Sequence, residues 1–248
     1  MVFQEFKNRV QHAKDLDFGD IFNKSIELFK KVWVQGLIML ILTMVIMIPF
    51  WFILYLPMIA LGVIDSSAID LNNELNAVLM IPFGILVFVF AIFSMVISFG
   101  MRAGFYRICK MKDLNEAGSD DYFYFLKKPY LGKVIKLSLA SFGIVILATL
   151  FCVIPVIYVS VPMALMYVVF AMNPEMSVSE IIKASFELGN KKWLITFGLI
   201  IVAGLLSGIV GMLLCFIGIY ITTSFSYLPA YYVYKESIGN DESDEIKQ

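Results

Sequence analysis

The chain has 248 residues, of which 60% are hydrophobic and 16% charged, with a mean hydropathy of +0.85 and a formal net charge of −1. Soluble domains carry about 25% charged residues, so this composition excludes an ordinary soluble protein and predicts an integral membrane protein. The balance of 19 Lys and Arg against 20 Asp and Glu says less than where those charges sit.

Residues 1 to 15 place Val2, Phe3, Phe6, Val10 and Ala13 at helical spacing, which predicts a short surface helix. The lone histidine, His12, lies in it without a Cys/His cluster, and zinc wants three or four ligands, so no metal site is expected. The first 31 residues mix acids and bases with no short apolar core, so no cleavable signal peptide is expected. From Phe18 the pattern changes. Phe18, Ile21, Phe22, Leu28, Phe29 and Val32 share one face of a helical wheel, with Asp20, Lys24, Glu27 and Lys31 beside or opposite it. That pattern predicts an amphipathic helix lying on the membrane surface before the chain enters the bilayer. Ser25 sits at the centre of the apolar face, where a small residue permits close packing against a transmembrane helix. Glu27 and Lys31 are spaced as an i,i+4 ion pair, worth about 0.3 to 0.5 kcal/mol. Trp33 stands where aromatic residues anchor a span at headgroup level.

Four segments then lack Asp, Glu, Lys, Arg and His: Val32 to Ile64, Leu75 to Met101, Leu137 to Pro174 and Trp193 to Tyr234. A membrane helix needs roughly 20 apolar residues. The first two segments therefore hold one span each, and the last two, of 38 and 42 residues, hold two each. Pro155 at the centre of the third, and Gly211 with Gly218 around the centre of the fourth, mark tight hairpins. Six spans put every Lys and Arg on one face, which the positive-inside rule makes cytoplasmic together with both termini. Asp65, Asp70 and Glu74 are then the only charges outside. No predicted span contains an ionisable residue, although catalysis or ion coupling within a membrane usually leaves one there. Arg102 and Arg107, at the cytoplasmic end of the second span, read as topology anchors or as contacts to a lipid headgroup or substrate anion. Prolines 49, 57, 82, 155, 162 and 229 break nearly every hairpin, and such breaks either line a cavity or only shape the packing.

The charged lead-in to the first span recurs 160 residues later. Asp20-Ile21-x-x-x-Ser25-x-Glu27-Leu28-x-x-Lys31-x-Trp33 matches Glu180-Ile181-x-x-x-Ser185-x-Glu187-Leu188-x-x-Lys191-x-Trp193, and Ser177-x-x-Glu180 is a capping-box pattern. A fainter copy places Lys128, Tyr130 and Leu131 against Lys191, Trp193 and Leu194. The same offset aligns Cys152-x-Ile154-Pro155 with Cys215-x-Ile217-Gly218. The expected fold is thus an all-α polytopic membrane helix bundle in one membrane domain over 1–235. Its three repeats, about 16–112, 113–175 and 176–235, each comprise an amphipathic interfacial helix plus a transmembrane hairpin, around a pseudo-threefold axis along the membrane normal. Cys152 and Cys215 occupy equivalent hairpin positions near the outer face, either as a disulfide or as separate thiols. Residues 236–248 are acidic, lack aromatic residues and are expected to be a disordered tail.

Phe18 to Trp33, the Ser185-Phe-Glu-Leu-Gly-x-Lys-Lys-Trp193 block, and Cys215-x-Ile-Gly-Ile-x-x-Thr222 closing on Tyr231-Tyr-x-Tyr234 together carry a family likeness over nearly the whole chain. The sequence resembles a bacterial family of six-span inner-membrane proteins, akin to the membrane domain fused to some glycerophosphoryl diester phosphodiesterases. The resemblance implies a fold more than an activity. The histidines and acidic metal ligands of the phosphodiesterase domain have no counterpart among these residues, so that activity is not expected. A carotenoid-cleaving oxygenase, which holds iron with four histidines, does not fit a chain with one.

The functional expectation is a non-enzymatic integral inner-membrane protein, a scaffold or accessory factor of the envelope that handles lipid. The alternative is a transporter of an apolar or lipid-like substrate through a path enclosed by the repeats. The expected partners are the lipid bilayer and other envelope proteins. Neither a cofactor nor a nucleic acid is expected.

Overall fold

The computed structural model describes residues 2–60, 74–151, 153–214 and 217–239, and no β-strand occurs among them. The helices are α1 (Phe3–His12), α2 (Phe18–Ala60), α3 (Glu74–Asp113), α4 (Leu131–Leu150), α5 (Val153–Met172), α6 (Val178–Lys191), α7 (Trp193–Leu213), α8 (Ile217–Thr222) and α9 (Leu228–Ile238). Among the described residues α2, α3, α4, α5 and α7 are long and apolar enough to cross a membrane.

Their surfaces agree with that reading. Phe52 (67% exposed), Ile81 (68%), Phe151 (73%) and Leu213 (77%) belong to a broad apolar belt on the ends of the helices remote from the charges. Water does not tolerate an apolar surface of that extent, whereas lipid does. The dense core lies at the opposite, charge-rich end, where Phe6, Leu28, Phe105, Tyr106, Phe125 and Phe170 are almost fully buried. At its centre is α9, in which Leu228 to Tyr234 are buried without interruption and which packs against α1, α2, α5 and α7.

Helix α4 ends at Leu150 and α5 begins at Val153, so Pro155 lies in the first turn of α5. Gly211 lies inside α7, which ends at Leu213, and Gly218 inside α8, which begins at Ile217. The lead-ins do not share one structure. In the first copy the expected surface helix is not separate, because α2 runs unbroken through Trp33 for 43 residues. Lys31 to Gln35 contains no Gly or Pro, and continuing a helix costs less than stopping and renucleating it. At 1.5 Å per residue α2 spans about 65 Å, so roughly half of it stands outside a 30 Å hydrocarbon layer. In the last copy α6 is separate, ending at Lys192, whose backbone (φ −115°, ψ 27°) is not helical. The middle copy has no surface helix. Residues 114–130 form a loop containing one 3₁₀ turn, Tyr124–Leu126. Asn115 takes a positive φ of 54° there, and Asp121 Oδ1 accepts the Phe123 N–H at 3.2 Å. Such local side-chain bonds compete with helix formation.

The sixth predicted span is not one helix among the described residues. Helix α8 stops at Thr222, a 3₁₀ segment covers Thr223–Tyr227, and α9 begins at Leu228 with Pro229 in its first turn. Thr222, Thr223, Ser224 and Ser226 all donate their hydroxyls to carbonyls three or four residues back, and Pro229 has no N–H to continue the ladder. At the end of the chain α9 carries Glu236 within it, ion-paired to Lys24 at 2.9 Å. Residues 240–248 of the predicted tail, Asp65, Asp70, Cys152 and Cys215 lie outside the described residues.

Candidate functional site

Polar chemistry gathers where α3, α5 and α9 meet. Asp113, the last residue of α3, accepts three hydrogen bonds from α9. Its Oδ2 takes Tyr231 Oη at 2.9 Å and Lys235 Nζ at 2.6 Å, and its Oδ1 takes Tyr232 Oη at 2.9 Å. The carboxylate side chain is only 12% exposed. On the other flank Asn173, buried at the end of α5, donates Nδ2 to Tyr234 Oη at 2.7 Å and to its own helix at the Val169 carbonyl. The Tyr231-Tyr232-x-Tyr234-Lys235 run thus bonds α9 to the ends of two other helices.

Arg102 lies three turns back along α3 and is half-buried. Its guanidinium carbon stands 4.5 Å from the Tyr167 ring centre and 4.3 Å from that of Tyr227, and Nη2 donates to Tyr227 Oη at 3.3 Å. No carboxylate among the described residues pairs with it. Cation–π contact stabilises a guanidinium by about 0.5 to 2 kcal/mol without neutralising it, so the site keeps a positive field. Arg107 stacks on Tyr124 at 4.3 Å, and its buried Nη1 has no partner.

A cleft of about 210 Å³ opens between α3, α4 and α5, lined by Ser94, Ser98, Phe99, Ser138, Ser141 and Tyr167, the last of which also stacks on Arg102. Ser94, Ser98 and Arg102 recur at intervals of four on one face of α3. Ser94 donates to the Phe90 carbonyl and Ser141 to Met166 Sδ, but the Ser138 hydroxyl, 2% exposed, has no partner. A second cavity, about 220 Å³ and almost wholly apolar, lies among Ile26, Phe29, Leu206, Val210 and Phe225.

No family model, no curated protein and no solved structure matches this chain. Its own side chains are therefore the basis for a functional reading. Among the described residues no group of three His, Cys, Asp or Glu is placed to hold a metal ion. His12 Nδ1 is 2.9 Å from the Asn8 carbonyl of its own helix, and Cys109 is buried.

The repeated motif is divided among structural tasks. Asp17 Oδ1 accepts the Asp20 N–H at 2.7 Å, while Ser177 and Glu180 form a reciprocal capping box, so the two helix starts are capped at equivalent positions. Hydrogen bonding to Ser177 holds the Glu180 carboxyl below its ordinary range. Ser25 and Ser185 are wholly buried, and each hydroxyl donates to the carbonyl four residues back, Ile21 at 2.8 Å and Ile181 at 2.7 Å. The expected ion pairs do not form as spaced. Glu27 pairs with Lys30 at 2.6 Å, leaving Lys31 exposed, and Asp20 pairs with Lys24 at 2.7 Å. Glu187 turns to Lys7 of α1 at 3.5 Å. Lys191 and Lys192 donate to the Gln11 and Lys14 carbonyls at and just beyond the end of α1, where unpaired acceptors and the negative end of the helix dipole attract cations. Trp33 is exposed, as an interfacial anchor would be, whereas Trp193 donates Nε1 to the Tyr158 carbonyl at 3.0 Å. Lys128 is exposed, and Tyr130 packs on Tyr124 and Phe125.

Filling the Ser185 site tests the packing role. Ser185→Leu forces a larger side chain into a fully enclosed position, and overpacking of this kind costs about 1 to 3 kcal/mol. The unfolding midpoint in detergent is expected to fall, whereas an unchanged midpoint would show that α6 does not dock tightly through this residue.

Proposed function

We propose that the protein is a non-enzymatic, six-pass protein of the bacterial inner membrane, with both termini cytoplasmic, that serves the envelope as a scaffold or accessory factor handling lipid. One observation carries the lipid-handling part. At the boundary between the apolar belt and the charge-rich end, Arg102 holds a positive charge between two tyrosine rings with no carboxylate against it. A cation kept at that depth without an acidic partner suits the phosphate or carboxylate of a membrane amphiphile. Asp113, Tyr231, Tyr232 and Lys235 bond to one another, which gives them a positional role rather than a chemical one. The scaffold role follows from the resemblance to six-span membrane domains, and no catalytic centre comes with it.

A transporter of an apolar or lipid-like substrate is the second reading, favoured by the apolar cavity between α2, α7 and the Thr223–Tyr227 segment. Ser207 and Thr222 exchange hydroxyl-to-carbonyl bonds at 2.7 Å beside it and hold the two walls together. Extraction into native lipid discs separates the two readings. A stoichiometric protein partner with bound phospholipid supports the scaffold, and a single metabolite retained in the apolar cavity supports transport. Topology is tested by cysteine labelling in a cysteine-free background. Ser119→Cys is expected to react from the cytoplasmic side and Ser67→Cys from the outer side, and cytoplasmic labelling of Ser67→Cys overturns the six-pass arrangement.

A further inference from the structure

We infer that the cleft between α3, α4 and α5 seats the oxyanion headgroup of a membrane amphiphile, with Arg102 supplying the charge and Ser98 and Ser138 the hydroxyl donors. The inference rests on the lipid-handling reading above and names its ligand class and residues. Two independent features point to a ligand. The first is the Ser138 hydroxyl, which lines the cleft, is 2% exposed and has no hydrogen-bond partner. An enclosed hydroxyl without a partner is costly, so a protein retains one where something else completes it. The second is Arg102, whose aromatic sandwich leaves its charge unneutralised by any described residue. Tyr167 links them, since it lines the cleft and lies 4.5 Å beneath the guanidinium.

The shape of the site selects the class. Ser94, Ser98 and Arg102 descend one face of α3, so hydroxyl donors lead toward the cation. Met95 and Phe99 add apolar wall, and α3 continues beyond Ser94 into the exposed apolar belt at Phe88 and Ile85. An oxyanion at Arg102 thus leaves its acyl chains lying along a surface already suited to lipid. The volume of about 210 Å³ admits a headgroup and not a whole phospholipid, which agrees with chains outside the cleft. A water molecule alone would satisfy Ser138 but leave the Arg102 charge as it is.

The test uses the full-length protein in detergent, titrated with dioleoylphosphatidylglycerol or with inorganic phosphate and followed by native mass spectrometry and thermal unfolding. One phosphatidylglycerol is expected to bind. Its affinity is expected to fall about tenfold in Ser138→Ala and about a hundredfold in Arg102→Gln, as befits hydrogen bonds to a charged group. Lipid-free Ser138→Ala is expected to unfold at the same temperature as the parent or slightly above it, because it loses a hydroxyl that had no partner. That sign separates a ligand-binding serine from a structural one. If Arg102→Gln does not fold, the Ser98→Ala/Ser138→Ala double variant carries the same prediction. Unchanged phosphatidylglycerol affinity in the variants overturns the seat and leaves lipid handling standing. A parent protein that binds no phosphatidylglycerol, and carries no amphiphile in native discs, overturns both. Inorganic phosphate binding as tightly as the lipid, with the same losses in the variants, makes this a free-anion site and overturns the amphiphile assignment.

Discussion

Asp113→Ala is expected to lower stability by about 3 kcal/mol, because removing one partner of a largely enclosed charge pair leaves the other uncompensated. Lys235 is 24% exposed and keeps some hydration, which places the cost at the lower end for such a loss. The hydroxyls of Tyr231 and Tyr232 lose the same acceptor. Asp113→Asn retains one acceptor oxygen and is expected to cost less than the alanine variant. Lys235→Met leaves the carboxylate with both tyrosine donors and is also expected to cost less. Since α9 is the central helix of the charge-rich end, its loosening should open Lys235 and the α3 terminus to limited proteolysis before the apolar helices unfold. Thermal unfolding in detergent, with proteolysis as a second measurement, checks both expectations. A loss under 1 kcal/mol for Asp113→Ala would mean that the burial of α9, not this hub, fixes its position. A double-mutant cycle with Lys235→Met isolates the pair from the tyrosine bonds.

Much of the fold was legible because charge placement is a one-dimensional signal. The four charge-free segments account for five helices of membrane length, and Pro155 and Gly211 lie within a few residues of the helix ends at Leu150 and Leu213. Capping chemistry was equally readable, as Ser177-x-x-Glu180 forms the box its spacing promised. The misses came where a distant element offered a better partner. Glu187 and Lys191 are spaced to pair with each other, yet α1 supplies Lys7 to the first and the Gln11 carbonyl to the second. The break in the sixth span could have been read from Thr222-Thr-Ser-Phe-Ser226 followed by Pro229, a run of hydroxyls that bond back onto the helix. Of the polar site, Arg102 and Arg107 were identified, but the serine face was not. Ser94-x-x-x-Ser98-x-x-x-Arg102 is a visible helical spacing in the sequence. What no spacing shows is that Ser138 and Tyr167, from two other helices, meet it across a cleft.

Gly104→Ala is expected to be among the most damaging single-methyl additions in the protein, and the reason lies in where the middle loop crosses α3. A Cβ built at Gly104 would lie 2.5 Å from the Tyr122 carbonyl oxygen and 3.2 Å from its carbon. Both are backbone atoms, so no rotamer change relieves the contact and the loop itself must move. That loop carries the enclosed Phe125 and positions Tyr124 over Arg107, so its displacement disturbs the core and the Arg107 stack together. Opposing the clash, alanine gains about 1 kcal/mol over glycine in a helix interior. Overpacking against an immobile neighbour costs about 3 kcal/mol, so a net loss near 2 kcal/mol is expected. Gly143 in α4 and Gly204 in α7 provide the control, because a Cβ there meets nothing within 4 Å. Gly143→Ala and Gly204→Ala are therefore expected to raise the unfolding midpoint in detergent while Gly104→Ala lowers it. The opposite sign at chemically identical substitutions measures the loop contact directly, after helix propensity has been subtracted. A rise in all three midpoints would mean that residues 114–130 do not press against α3.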